Sequence, residues 1–319
     1  MTVEAIGVDL GGTKMLVGAV DADRNVAYRS TAPSMGLSQD ELIHTLEREL
    51  RAAMVARPEA GAVGLGIPCT IDRRRGVAVM AVNLQLADVP IRDLMRERLG
   101  VPVAIDNDAN AAVLAEHRFG SARGATNVVM LTIGTGIGGG LVIEGELYRG
   151  SAGAGAELGH VVIEADGPPC QGNCPNHGCV EVMASGTAIA REGLVAAEKA
   201  PDSALGRALA AGVELDGKEV TEAALEGDLI ATRVLETVGR RLGVAFASFA
   251  NIFDPDVIVV GGGVIAAGDL LLAPARAELA VRALPPMNET PVTAAEFGPD
   301  AGMVGAATMA MLELEGGKG

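Results

Sequence analysis

Twice in this sequence a short apolar strand runs into glycines and an apolar strand comes straight back. Ile6-Gly7-Val8-Asp9-Leu10 is broken by Gly11-Gly12-Thr13-Lys14, and residues 15–20 resume the pattern. About 120 residues further on, residues 128–133 meet the glycine-rich stretch 134–140 before Leu141-Val142-Ile143 returns. Each reads as a hairpin with a glycine turn, which demands local antiparallel pairing. Elsewhere strands alternate with helical spacing, as parallel strands joined by crossovers require. Leu42, Ile43, Leu46, Leu50 and Met54 mark a helix over 41–54, and residues 63–67 and 101–105 read as strands. A helix is expected to open at 106–108 and run to about Phe119. The reading is an α/β chain with a mixed sheet in each of two related halves.

The chain has 319 residues, 49% of them apolar, enough for two lobes. With no Trp, two Tyr and five Phe, its core must be built from aliphatic residues and alanine. A net charge of −16 points away from nucleic acid, since phosphate backbones call for a basic face. The basic run Arg73-Arg74-Arg75 lies between apolar stretches and reads as a turn. No run approaches the ~18–20 apolar residues of a membrane span, and residues 1–7 enter a strand without a basic leader. A cytoplasmic setting is therefore expected, with the four cysteines reduced. Residues 200–228 are polar and acidic, and form the best candidate for a surface excursion.

Three glycine loops have the parts a triphosphate needs. In the first, glycines let backbone amides approach phosphate, Thr13 can donate, and Asp9 at the strand end can hold Mg²⁺ through water. It is not a Walker A loop, because Thr13 stands where lysine is required and a strand follows. Taken alone it is equally an ordinary hairpin turn. The second, Gly134-Thr135-Gly136-Ile137-Gly138-Gly139, matches a dinucleotide fingerprint, but no helix is expected after it. The third, Gly261-Gly262-Gly263, ends a strand, where small residues leave room for a ribose or a flat ring.

Asp106-Asn107-Asp108-Ala109-Asn110 follows a strand and opens a helix. Helix capping explains one of these polar residues but not a run of them. A carboxylate there, Asp108, can take a proton from a hydroxyl poised for phosphoryl transfer, with Asp106 the expected cap or supporting partner. Further on, Cys170, Cys174 and Cys179 lie in a Gly- and Pro-rich segment that a tetrahedral zinc would order. His177 and His160 are both candidates for the fourth ligand. Cys69 stands apart in Gly66-Ile67-Pro68-Cys69-Thr70 and reads as a small packed residue.

The glycine loop at 9–14, Asn107-Asp108-Ala109-Asn110, the glycine loop at 134–139, Glu157-Leu158-Gly159-His160 and the cysteine run ending in Gly178-Cys179-Val180-Glu181 occur in that order. The chain thereby resembles the repressor, open reading frame, kinase (ROK) family of sugar kinases, from Ile6 to about Ala310. The resemblance implies a two-lobed actin/hexokinase-like (ribonuclease H-like) ATPase fold. Its lobes would be 1–117, completed by 300–319, and 118–299, the latter with a zinc loop at 160–181. It implies ATP-dependent phosphorylation of a hexose, glucose first, with fructose, mannose, N-acetylglucosamine or N-acetylmannosamine as alternatives. On that pattern Asp108 is the general base, and Asn83, Asn107, Glu157, His160 and Glu181 hold the sugar. Asp9, Gly11, Gly12, Thr13, Lys14, Gly134, Thr135, Gly136 and Gly261 to Gly263 then hold ATP with Mg²⁺. His160, Cys170, Cys174 and Cys179 hold a structural zinc. The spacing Cys-x₃-Cys-x₄-Cys is two residues longer than the family's usual Cys-x-Cys-x₄-Cys. The resemblance also implies a homodimer or homotetramer. Family repressors carry a DNA-binding region before the first glycine loop, whereas here that loop starts at residue 9, so a kinase is expected rather than a repressor. An ATPase switch or filament protein on the same fold would need no sugar-facing Glu, His and Glu set.

Overall fold

The structure, a computed structural model, describes residues 4–316 apart from Ala22, Arg24, Val82, Asn83 and Asn173. The chain opens with β1 (Glu4–Leu10), β2 (Lys14–Asp21), β3 (Val26–Pro33), α1 (Gln39–Ala56) and β4 (Ala60–Ile67). A small sheet follows from β5 (Cys69–Asp72), β6 (Val77–Ala81) and β7 (Ala87–Val89), then α2 (Ile91–Leu99), β8 (Val103–Asn107) and α3 (Asp108–Phe119). Next come β9 (Val128–Ile133), β10 (Ile137–Ile143) and β11 (Glu146–Tyr148). Five helices succeed them: α4 (Val180–Ala184), α5 (Gly186–Lys199), α6 (Ala204–Ala210), α7 (Gly217–Leu225) and α8 (Leu229–Phe253). The chain closes with β12 (Val257–Gly261), α9 (Asp269–Arg282), β13 (Val292–Ala294) and α10 (Ala301–Gly316).

Two compact units result. Unit 1 comprises Met1–Gly124, Gly140–Ala156 and Glu296–Gly319; unit 2 comprises Ala125–Gly139 and Glu157–Ala295. The sequence reading keeps 118–299 together, whereas Gly140–Ala156 packs within unit 1, where Gly153 lies against the Ile71 carbonyl.

The main sheet of unit 1 has the order β3-β2-β1-β4-β8, antiparallel through β1, β2 and β3 and parallel through β1, β4 and β8. Period-two alternation divides its side chains between two helical layers. Ile6, Val8 and Leu10 of β1 and Val63, Leu65 and Ile67 of β4 pack with Leu42, Leu46 and Leu50 of α1 and Met95 of α2. On the opposite face these two strands show Ala5, Gly7, Ala62 and Gly64, and the helix covering them is α10. Small residues there let a helix backbone settle almost onto the sheet. A Cβ on Gly64 would lie 1.8 Å from the Ala306 carbonyl oxygen, and one on Gly7 2.0 Å from that of Met303. Helix α10 meets α3 as closely, since a Cβ on Gly305 would lie 1.7 Å from the Ala111 carbonyl oxygen.

In unit 2, β12 runs parallel to β9 on one side and β13 on the other, in register from Val257↔Val128 to Gly261↔Thr132. Behind them α8 packs along α9, with Gly239 and Gly243 meeting the Leu271 and Ala275 carbonyls. Phe246 and Phe249 of α8 are fully buried. The acidic stretch 200–228 forms α6 and α7, whose N-termini are capped by Ser203 and Asp216. Among the described residues no helix is long and apolar enough to cross a membrane.

The α10 contact yields a stability test. Gly64→Ala is expected to cost about 1–3 kcal/mol in urea unfolding, because backbone rather than a flexible side chain must yield. A cost within the scatter of surface substitutions would show that α10 can lift from the sheet.

Candidate functional site

The first glycine loop joins β1 to β2, and its shape is held from outside. Ser34, 2% exposed, donates its hydroxyl to the Gly11 carbonyl at 2.6 Å. The backbone N–H groups of Ser34 and Met35 donate to the Thr13 carbonyl at 3.1 and 3.2 Å. These bonds fix the Gly11 and Thr13 carbonyls and with them the shape of the turn. Lys14 begins β2 and is exposed. Nothing in the sequence around Ser34 marked it for this part.

Asp9, Gly66 and Asp106 lie in register across β1, β4 and β8. Between the two acids Gly66 presents no side chain, and a Cβ there would stand 3.5 Å from the Asp108 Cα. Burial pushes the Asp9 carboxyl up to about 7, the Asp108 charge adds to this, and Lys14 opposes it. Burial likewise pushes the Cys69 thiol up to about 12, with Asp108 again adding, so Cys69 is an unreactive packed residue.

Strand β8 runs two residues beyond the expected 105, which changes the part played by Asp106. Asn107 caps α3, its Oδ1 accepting from Ala109 N at 2.9 Å and Asn110 N at 3.3 Å. Asp106 stays inside the strand with its side chain 2% exposed. Its Oδ1 accepts from Asn107 N and Asn110 Nδ2, both at 2.9 Å, and its Oδ2 accepts from Arg149 Nε at 2.6 Å. Of the two parts expected for Asp106 the structure keeps that of partner and gives the cap to Asn107, whose extended backbone suits an N-cap. Asp108 becomes the first residue of α3.

In unit 2 the second glycine loop is a hairpin turn with no helix after it, so it is not a dinucleotide fingerprint. Gly134 N donates to Gly136 O at 2.9 Å, and Gly186 N to Gly134 O at 2.7 Å. Thr187 Oγ1 donates to the Thr135 carbonyl at 2.8 Å, and Glu181 Oε2 accepts from Ile137 N at 2.8 Å. Glu181, on α4, is thus tied directly to this turn. Strand β12 ends at Gly261; Gly262 has φ 85°, and a Cβ on it would strike the Ile133 carbonyl at 2.3 Å, so glycine is required there. Gly263 starts the 3₁₀ turn leading to α9. Glu157 is exposed at the head of a 3₁₀ turn formed by Leu158–His160. Asn83 lies outside the described residues.

His160, Cys170, Cys174 and Cys179 bring their ligand atoms within 4.8 Å of one another. Cys170 Sγ is 3.6 Å from His160 Nδ1, and Cys174 Sγ is 3.9 Å from Cys179 Sγ, far beyond a disulfide bond. Ligand atoms ~2.0–2.3 Å from a tetrahedral zinc lie about 3.3–3.8 Å apart, so three sulfurs and one nitrogen fit that ion. His177 faces the Gly167 carbonyl instead, at 3.2 Å, and is not part of the cluster. The longer Cys170-to-Cys174 spacing is accommodated because backbone pairing at Val162↔Cys179 and Pro169↔His177 closes the loop around the sulfurs.

Metal analysis is accordingly expected to find one zinc per chain, and Cys179→Ser to reduce that content and lower the melting temperature. Fully stable, zinc-free wild-type protein would end the assignment. A second test concerns Asp9. A carboxyl whose pKa is higher folded than unfolded keeps its stabilising share below the ordinary value of 3.8 and loses it as pH rises through about 7. In buffer without divalent cations, Asp9→Asn is expected to gain on the wild type by on the order of 2 kcal/mol or more between about pH 4 and about pH 8. An unchanged difference in urea unfolding would show that ionised Asp9 carries no such penalty.

With this geometry in view, similarity to known proteins narrows the reading. The chain matches the ROK family over residues 5–313. It is 38% identical to a glucokinase of Thermotoga maritima over 309 residues, covering 96% of this chain and 97% of that one. A glucokinase of Streptomyces coelicolor is 36% identical over 313 residues, covering 96% of each chain. Among solved structures, a ROK family glucokinase from Streptomyces griseus in complex with glucose and AMPPNP superposes with a TM-score of 0.85 at 34% identity, covering 97% of this chain and 99% of that one. The α/β architecture is the two-lobed actin/hexokinase-like fold anticipated above. By sequence over nearly its whole length, and by fold, the chain belongs to the ROK family.

Proposed function

We propose that this protein is an ATP-dependent hexose kinase that phosphorylates the 6-hydroxyl of glucose, with Asp108 as the general base. The observation that carries the reading is Asp108 itself: the first residue of α3, just past the carboxyl end of parallel strand β8, with Gly66, the register partner of both Asp9 and Asp106, beside its Cα. The glucokinases related to this chain, one of them solved with glucose and AMPPNP, support the substrates.

The chemistry follows from these groups. Asp108 accepts the proton of the sugar hydroxyl as that oxygen bonds to the γ-phosphorus, the bond to the bridging oxygen breaks, and ADP leaves. Phosphoryl transfer asks little more of a protein than alignment and charge neutralisation. Gly11, Gly12, Thr13, Lys14, Gly134, Thr135 and Gly136 would serve the phosphates, and Gly261, Gly262 and Gly263 would leave room for the nucleoside. Asp9 would hold Mg²⁺, which supplies charge neutralisation on the phosphates; a buried carboxyl pushed up to about 7 suits a cation partner. Asn83, Asn107, Glu157, His160 and Glu181 take the sugar hydroxyls. Zinc on His160, Cys170, Cys174 and Cys179 would be structural, fixing the imidazole so that its other nitrogen meets the sugar.

A coupled assay of ADP release with ATP and a panel of glucose, mannose, fructose, N-acetylglucosamine and N-acetylmannosamine tests the proposal. Glucose is expected to give the highest kcat/KM, and Asp108→Asn to lower kcat at least ~10²-fold with sugar binding retained. ADP release that no sugar stimulates would overturn the kinase reading; near-normal turnover by the variant would remove Asp108 from its role.

A further inference from the structure

The Asp106–Arg149 pair is absorbed by none of the roles above. Asp106 is the residue before the Asn107 cap and two before Asp108, and its side chain is 2% exposed. An ion so buried needs both charge compensation and full hydrogen bonding. Arg149 supplies the charge at 2.6 Å from Oδ2, its own Nη1 steadied by the Leu147 carbonyl at 3.4 Å. Asn107 N and Asn110 Nδ2 supply the bonds at Oδ1. Asn110 turns its amide to do so at a cost, for its Oδ1 is buried without a partner. The only other cation near the carboxylate among the described residues is Arg73, whose Nε is 3.8 Å from Oδ2 and which is shared with Glu313.

We propose that Arg149 is a positioning residue for the transfer: by holding Asp106 in its buried, triply bonded place it sets the turn from β8 into α3, and hence where the Asp108 carboxylate points. This rests on the reading of Asp108 as base. Without the guanidinium, Asp106 loses its close, hydrogen-bonded cation and keeps only the more distant Arg73, at 3.8 Å and shared with Glu313. It relieves that state by swinging toward solvent or toward Arg73, which frees Asn107 N and Asn110 Nδ2. The helix start then shifts by a fraction of an ångström to an ångström, enough to spoil an in-line approach while the phosphate and sugar contacts elsewhere persist. Asp106 and Arg149 act here through Asp108.

Steady-state kinetics of Arg149→Gln, Arg149→Lys, Asp106→Asn and the Asp106→Asn/Arg149→Gln double variant test this, alongside Asp108→Asn and melting temperatures. Arg149→Gln is expected to lower kcat on the order of tenfold or more while KM for ATP and sugar stays within about threefold. Arg149→Lys should restore part of the loss, and the double variant should fall no further than the worse single one, because the two residues form one unit. A folded Arg149→Gln variant with kcat within about twofold of wild type would overturn the proposal, as would a loss that appears only in KM. Should Arg149→Gln not fold, the near-isosteric Asp106→Asn decides: reduced kcat at constant KM supports the proposal and unchanged kcat overturns it. If Asp108→Asn is itself fully active, the base reading has failed rather than the positioning role.

Discussion

Three carboxylates crowd the carboxyl ends of β1 and β8, and unit 1 is organised around making that crowding tolerable. Each is handled differently. Asp106 is neutralised internally by Arg149 and saturated by its own helix turn. The Asp9 carboxyl is pushed up to about 7 by burial and by Asp108 against the opposing charge of Lys14, a state that a cation would relieve. Asp108 sits on the first turn of α3, where the helix dipole favours a negative charge and the Ala109 amide can bond it. On the proposed function one acid would serve structure, one a metal and one a proton, a division of labour that the surroundings, and not the residue type, would impose.

That arrangement needs close packing behind it. Gly7 and Gly64 in the sheet and Gly305 on α10 remove the side chains that would hold sheet, α10 and α3 apart. The N-terminal end of α10 then reaches Asp9: a Cβ on Gly302 would stand 2.7 Å from its Cγ. The high glycine content of the chain is thus partly a packing device and partly a source of turns. In unit 2 the same economy serves the hairpin at 134–136, where Glu181 sits where a Cβ on Gly136 would be, 2.4 Å from its Oε2. The carboxylate proposed as a sugar ligand therefore also braces the turn at 134–136.

Motifs whose chemistry is local were legible in the sequence. Both glycine hairpins, the strand-then-helix setting of Asp108, the packed character of Cys69 and the grouping of the three cysteines needed only spacing and residue type. Partners distant in sequence were not legible. Arg149 lies 43 residues from Asp106 and is flanked by nothing that announces it. Ser34 lies 23 residues beyond the Gly11 carbonyl it fixes. The choice between Asp106 and Asn107 as cap turned on where β8 stops, and that depends on pairing with β4 rather than on either residue's propensity.

Alone, the sequence determined that the chain is an α/β protein with two glycine hairpins, an acid at a strand end and a thiol-rich loop, because periodicity and turn chemistry are properties of neighbouring residues. Only the tertiary structure decided that His160 and not His177 joins the cysteines, and that Asp106 is paired rather than capping. It also decided that Gly140–Ala156 folds with unit 1. Each of these depends on which segments come together in space, and burial then makes the difference between a charge that is paired and one that is not a matter of several kcal/mol, roughly the size of the whole fold's margin.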